Sequence, residues 1–302
     1  MKPAPFDYLS PRTLDEALRM LAGAGDDARP LAGGQSLIPM LNFRLASPTA
    51  LVDLGRVDEL AGVTHRDEGG LTIGAMTTQR VLERHPDVAL RAPLLAEGAP
   101  WIAHVQIRTR GTVGGSIAHA DPAAELPALL LVLGAAVRVS RAPREGEPEG
   151  RIERTIRLAD LFLGPFFTAL EPDELITAID VPPPGGREGC AFDEVARRRG
   201  DYAIAGVAAR VRLDGQGACE SVALAAVNAG PAPMLLREAA AELVGVPPLP
   251  DAIDRAATTA TAECDPAPDM HASEAYRRHL VGVLAARTLT TAARRAAVED
   301  GS

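Results

Sequence analysis
A chain of 302 residues with 47% hydrophobic side chains can bury a large core, and its length favours two domains over one. Its net charge of −9 argues against nucleic acid and anionic membranes as main partners, because either requires a basic face. With Lys2 as the single lysine, it can build neither a lysine-clamped phosphate loop nor a pyridoxal Schiff base.

The cysteines Cys190, Cys219 and Cys264 lie far apart and are too few to hold an iron–sulfur cluster, so they read as small buried hydrophobes. The six histidines show no metal-ligand spacing. No apolar run approaches the ~20 residues of a membrane span. The longest, "LPALLLVLGAAV", is broken by Pro127 and Gly134. The N-terminal "MKPAPFDYLS" lacks the apolar core of a signal peptide, which makes the cytoplasm the expected compartment.

In chain order, "RTLDEALRMLAGAG" predicts a helix opened by Thr13, with Glu16 three residues on as in a capping box. Leu14, Ala17, Leu18 and Leu21 share its apolar face, and Gly23 and Gly25 end it. "ARPLAGG" and "ALVDLG" read as short buried strands on either side of Gly33-Gly34-Gln35-Ser36. "GLTIGAMT" is a further strand, followed by a short helix at "TQRVLERH" and another at "PLLAEGAPWIAHV". A second glycine segment, Gly114-Gly115-Ser116 in "RGTVGGSIAHADPAAELP", reads as a loop in a similar apolar frame. Asp121 followed by Pro122 predicts a helix start, running through "PAAELPALLLVL" to Gly134.

"AAVRVS" is a strand and "RAPREGEPEGRIER" an exposed hairpin or loop. "ELITAIDVPPPGG" ends a strand in a proline-rich linker at 182–186, the expected domain boundary. Beyond it, "YAIAGVAARVRLDGQGACESVALAAVN" predicts two strands joined at Asp214-Gly215-Gln216-Gly217. Alanine-rich helices are expected near 234–244, 251–263 and 272–297, which makes this part an α+β unit.

Glycines let backbone amides turn toward an anion with no side chain in the way, and Ser36 and Ser116 each add a donor. For one Gly-Gly pair taken alone, a plain turn is the better reading. Two such segments without a lysine clamp suit a ligand with linked phosphates, a dinucleotide held by backbone amides. The chain has no Gly-x-Gly-x-x-Gly fingerprint, so a Rossmann site is not expected.

In this order, "LAGGQSLIPMLNFRL", "IRTRGTVGGSIAHADPAAELPALL" and "RRRGDYAIAGVA" resemble the FAD-binding (medium) subunits of the molybdenum hydroxylases. This family includes xanthine dehydrogenase flavin domains and the medium chains of aerobic carbon monoxide dehydrogenases, and the resemblance covers nearly the whole chain. It implies an α+β fold: a two-subdomain FAD-binding fold of the vanillyl-alcohol-oxidase type over 1–180, split near 55–60, then a C-terminal α+β domain over 187–290. It implies FAD bound non-covalently in an elongated conformation. Ala32, Gly33, Gly34, Gln35, Ser36 and Leu37 would wrap the pyrophosphate, and Gly111, Thr112, Val113, Gly114, Gly115 and Ser116 would complete that cradle. Ala118 and His119 would line the flavin side, Glu125 matches an acidic position that contacts the cofactor, and Tyr202 would lie near the isoalloxazine ring.

The resemblance also implies an electron-transfer role with no catalytic acid or base on this chain. A small subunit with [2Fe–2S] clusters would deliver electrons taken from substrate by a large subunit holding the molybdenum cofactor. The flavin would pass them to a final acceptor such as NAD or quinone. Taken alone, the residues have plainer readings: His119 as a surface residue, Glu125 as a first-turn carboxylate facing the helix dipole, Tyr202 as strand packing. The arginines at 197–199 read as a solvated face or as one that meets an acidic partner or substrate. Two other functions stay open: a self-sufficient flavin reductase or oxidase on the same fold, and a flavin-free assembly subunit.

Overall fold
Three apolar cores follow one another along the chain in the computed structural model, which describes residues 2–298. The first forms under the helix Leu14–Ala24. Thr13 Oγ1 accepts the Glu16 amide at 3.2 Å, and the Glu16 carboxylate accepts the Arg12 amide at 2.7 Å. Two donors of the first turn and its entry are thereby satisfied. Leu14, Ala17, Leu18 and Leu21 are buried against a three-stranded parallel sheet with Ala50–Asp53 between Asp7–Leu9 and Arg29–Leu31.

The second core lies under five antiparallel strands in the order Val63–His65, Leu71–Gly74, Leu175–Val181, Ala136–Arg141, Ile152–Arg157. The charged stretch between the last two closes as a hairpin. The single helix expected around "PLLAEGAPWIAHV" is instead Pro93–Gly98 followed by a 3-10 turn, Ala99–Trp101. Pro100 has no amide to continue the α-helical ladder. A small hairpin pairing Phe162–Gly164 with Phe167–Thr168 was not anticipated.

Helix Glu125–Val132 is buried at all eight positions. It packs on the strands Ala203–Leu213 and Cys219–Val227, which belong to a four-stranded sheet bounded by Glu188–Ala196 and Met234–Leu235. The strand Glu188–Ala196 was not expected, and Met234–Leu235 takes the place of helix at the start of 234–244. Side-chain alternation divides this sheet. Ala208, Ala225 and Val227 face the buried helix and join the second core. Ala205, Val207, Ala209 and Val211 face the third core, built with helices Pro250–Glu263 and Glu274–Ala297. Cys219 and Cys264 are buried and Cys190 half-buried, in keeping with their reading as small hydrophobes.

Candidate functional site
The first glycine segment leaves the strand Arg29–Leu31 and turns into the helix Leu37–Phe43. Gly34 has a φ of 73°, a left-handed conformation that costs an L side chain about 1–2 kcal/mol. Gln35 Nε2 donates to the Gly33 carbonyl at 3.0 Å, tying that side chain to its own turn. The amides at 33–37 have no hydrogen-bond acceptor within the described chain, and the Ser36 hydroxyl makes no cap bond. A row of successive backbone donors with glycine on its approach side is an anion-binding surface.

The second segment differs from the loop expected of it. Gly114, Gly115 and Ser116 lie in the first turns of a helix, Val113–His119, whose cap is Thr112: its Oγ1 accepts the Gly115 amide at 3.1 Å. The Val113 and Gly114 amides donate to Thr77 and Ala75 carbonyls at 2.9 and 2.8 Å, and the Ser116 amide to the Thr112 carbonyl. Most of this segment's donors are thus engaged inside the chain. Gly114 has a packing reason, since a Cβ there would lie 2.5 Å from that of Ala75.

The two segments touch. A Cβ on Gly33 would lie 2.2 Å from the Arg110 carbonyl oxygen and 2.9 Å from the Gly111 Cα. A Cβ on Gly115 would stand 3.3 Å from the Ala32 Cβ. Gly111 in turn is held by its carbonyl, which accepts the Gln79 amide at 2.8 Å. Gly200 of the third motif packs on His104, just ahead of the helix Val105–Arg108: a Cβ at 200 would meet the His104 ring at 2.4 Å. Arg197 of that motif pairs with Asp201 at 3.1 Å.

At the far end of the helix Val113–His119, Ala118 is exposed, and the His119 and Phe166 rings meet with centroids 5.0 Å apart. Burial lowers the His119 pKa, opposed by the charge of Asp121. The helix expected from Asp121-Pro122 begins later, at Glu125. Asp121 Oδ1 accepts the Ala123 amide at 2.9 Å and closes a turn, a competing use of the same residue type.

Glu125 is 5% exposed, and its carboxyl is pushed up to about 7. Burial is the main cause, with Asp121 adding to it, against an intraresidue backbone hydrogen bond and Arg108. Tyr202 stands 67% exposed. Its phenol is shifted up, by desolvation first and then by the Asp121 and Glu125 charges. Sequence reading missed Glu194, 6% exposed in the strand Glu188–Ala196, whose Oε2 has no hydrogen-bond partner among the described residues. A carboxylate between alternating apolar residues carried no signal of burial.

The donor row at 33–37 and the glycine surfaces beside it fit the pyrophosphate of a dinucleotide. Among the described residues, no group of three or more His, Cys, Asp or Glu side chains is placed to hold a metal ion. No described helix is long and apolar enough to cross a membrane.

Residues 4–184 match the family model of the FAD binding domain in molybdopterin dehydrogenase, and residues 190–292 that of the CO dehydrogenase flavoprotein C-terminal domain. Subunit alpha of the 6-hydroxypseudooxynicotine dehydrogenase complex of Paenarthrobacter nicotinovorans is 42% identical, over 98% of this chain and 97% of that one. The carbon monoxide dehydrogenase medium chain of Afipia carboxidovorans is 39% identical, over 98% and 99%. Among solved structures, carbon monoxide dehydrogenase from Hydrogenophaga pseudoflava, in a form lacking the Mo-pyranopterin moiety of its cofactor, superposes with a TM-score of 0.92 at 37% identity, covering 98% of this chain and 99% of that one. Motifs, fold and both matched regions agree: the chain belongs to the FAD-binding medium subunits of the molybdenum hydroxylases, flavoprotein components of oxidoreductases.

Proposed function
We propose that this chain is the electron-transfer subunit of a molybdenum-containing hydroxylase or dehydrogenase, working in the cytoplasm beside a [2Fe–2S] small subunit and a molybdenum-cofactor large subunit. The row of unengaged amides at 33–37 is the observation that carries the reading, because it supplies donors for two linked phosphates without any lysine. The names of the relatives support assembly into a complex, and so do the three separated cysteines, too few for clusters on this chain.

In this reading FAD is held non-covalently and supplies the redox chemistry through its isoalloxazine ring. The amides of Gly33, Gly34, Gln35, Ser36 and Leu37 bind the pyrophosphate, with Ala32 backing them. Gly111, Thr112, Val113, Gly114 and Gly115 fix that row in place, and Ser116 adds its hydroxyl. Ala118, His119, Glu125 and Tyr202 border the flavin. Residues 1–180 form the FAD-binding unit, with subdomains meeting near 55–60, and 187–290 the C-terminal unit.

The test is direct. The purified full chain should be yellow, and acid precipitation should release its flavin into the supernatant as FAD. Flavin left on the pellet contradicts the non-covalent reading, and a colourless chain that takes up no FAD contradicts the function. Substrate should reduce the flavin only when the two partner chains are present; turnover by the lone chain would favour a self-sufficient flavoenzyme.

A further inference from the structure
Glu194 presents an unsolved electrostatic problem. It is 6% exposed, and its Oε2 meets no hydrogen-bond donor within the described chain, where an unpaired carboxylate is costly. The strand register sets it opposite Gly206, and a Cβ at 206 would come within 3.1 Å of the Glu194 Cβ, so the glycine clears the room this side chain takes. Two residues from Phe192, which joins the second core, Glu194 lies on the sheet face that meets the helix Glu125–Val132. Glu125, 5% exposed, opens that helix, and its charge, then that of Asp193, acts on Glu194.

Among the described residues, no cation is paired with either carboxyl. Arg108 faces Glu125, but its guanidinium is committed to Glu83 Oε2 at 3.2 Å and to the Ile102 and Ala103 carbonyls at 2.8 and 2.9 Å. Arg287 pairs at 3.0 Å with Asp193, the residue beside Glu194. Asp121, which acts on Glu125, and Tyr202, on which Glu125 acts, add no positive charge. Two buried carboxyls in this setting cannot both stay ionised.

We propose that Glu194 and Glu125 form a proton-holding carboxyl pair in the wall of the flavin site, Glu194 the acid and Glu125 the carboxylate. Its location rests on the flavin reading above. The division of roles follows from the surroundings: Arg108 faces Glu125, whereas Glu194 Oε2 meets no donor within the described chain, and burial, then the charges of Glu125 and Asp193, push the Glu194 carboxyl up. Glu194 is a positioning residue that acts through Glu125. When negative charge collects in the site, a solvent proton adds to the Glu125 carboxylate and the pair becomes neutral.

The experiment is infrared spectroscopy of the carboxylic-acid C=O stretch in the full chain, flavin-free and FAD-loaded, at about pH 8, where exposed carboxyls are ionised. An acid band is expected in the wild type, lost in Glu194→Gln and shifted by FAD. In Glu125→Gln the band should persist but titrate away at lower pH, because the neighbouring charge is gone. A wild type with no acid band, or a band that survives in Glu194→Gln, overturns the pair. A band that ignores FAD while FAD binds overturns its place in the site wall. If no FAD binds, the flavin reading fails and the location with it, while the flavin-free spectra still decide whether the pair exists.

Discussion

Gly33 and Arg110 meet backbone to backbone: a Cβ on the glycine would lie 2.2 Å from the arginine carbonyl oxygen. The amide row that follows Gly33 therefore takes its position from the second glycine segment, and neither half of the site is set alone. Gly33→Ala should push the two apart, at about 1–3 kcal/mol of stability. FAD affinity should fall by roughly tenfold or more, the equivalent of about 1.4 kcal/mol. Urea melts and flavin fluorescence titration read the two effects, and an unchanged affinity would dissociate the contact from binding.

Gly34 makes a different demand, for a left-handed backbone at φ 73° rather than for space. Asparagine tolerates that region and β-branched residues do not. Gly34→Asn should keep most of the FAD affinity, whereas Gly34→Val should lose it in a chain that still gives a folded circular dichroism spectrum. Equal binding by both variants would remove the backbone argument.

Thr112 caps the helix Val113–His119 through the Gly115 amide. Thr112→Ala should cost about 0.5–2 kcal/mol, and Thr112→Ser should recover most of it. The same ranking is expected for FAD affinity, since the cap fixes the helix against which Ala32 rests. Matching melting temperatures for the alanine and serine variants would contradict it.

Stability should depend on pH through Glu125, whose carboxyl lies at about 7 in the folded chain, above its ordinary 4.5. A carboxyl raised by folding stabilises the folded state while protonated. As pH climbs from the ordinary carboxylate range to about 7, the unfolded chain releases its proton first, so stability falls across that window. The loss from this group is on the order of 3 kcal/mol. Glu125→Gln should abolish it, leaving the flavin-free variant more stable than wild type at about pH 8. Parallel urea midpoints for the two chains between about pH 5 and 8 would count against a buried, raised carboxyl.

What could be read from the sequence was local. The capping box at Thr13 and Glu16, the turn at Asp214 and the sharp bend at Gly34 are each written in a few adjacent residues. Gly114-Gly115 was misread as a loop because glycine lowers helix propensity, while the buried spacing of Val113 and Ile117 decides for helix. Asp121-Pro122 signals a turn as readily as a helix start, and the turn formed. The strand Glu188–Ala196 and the burial of Glu194 depend on pairing with Ala203–Leu213, which no short window contains. The residues at 32–37 and 111–116 were legible as two glycine segments in apolar frames, and their contact through Gly33 was not.

Helix Glu125–Val132 has no solvent face: its side chains fill the second core from one side while Ala208, Ala225 and Val227 of the later sheet close on it from the other. The seam between the two matched regions at 184 and 190 is thus not a seam of folding. Cutting the gene there would leave each fragment with a stripe of bare leucines or alanines and no water-tolerant surface to replace it. The two should melt together, in one calorimetric peak whose enthalpy equals the van't Hoff value. A chain built this way should not shed its C-terminal part and keep the rest folded, because the second core would lose one of its two walls.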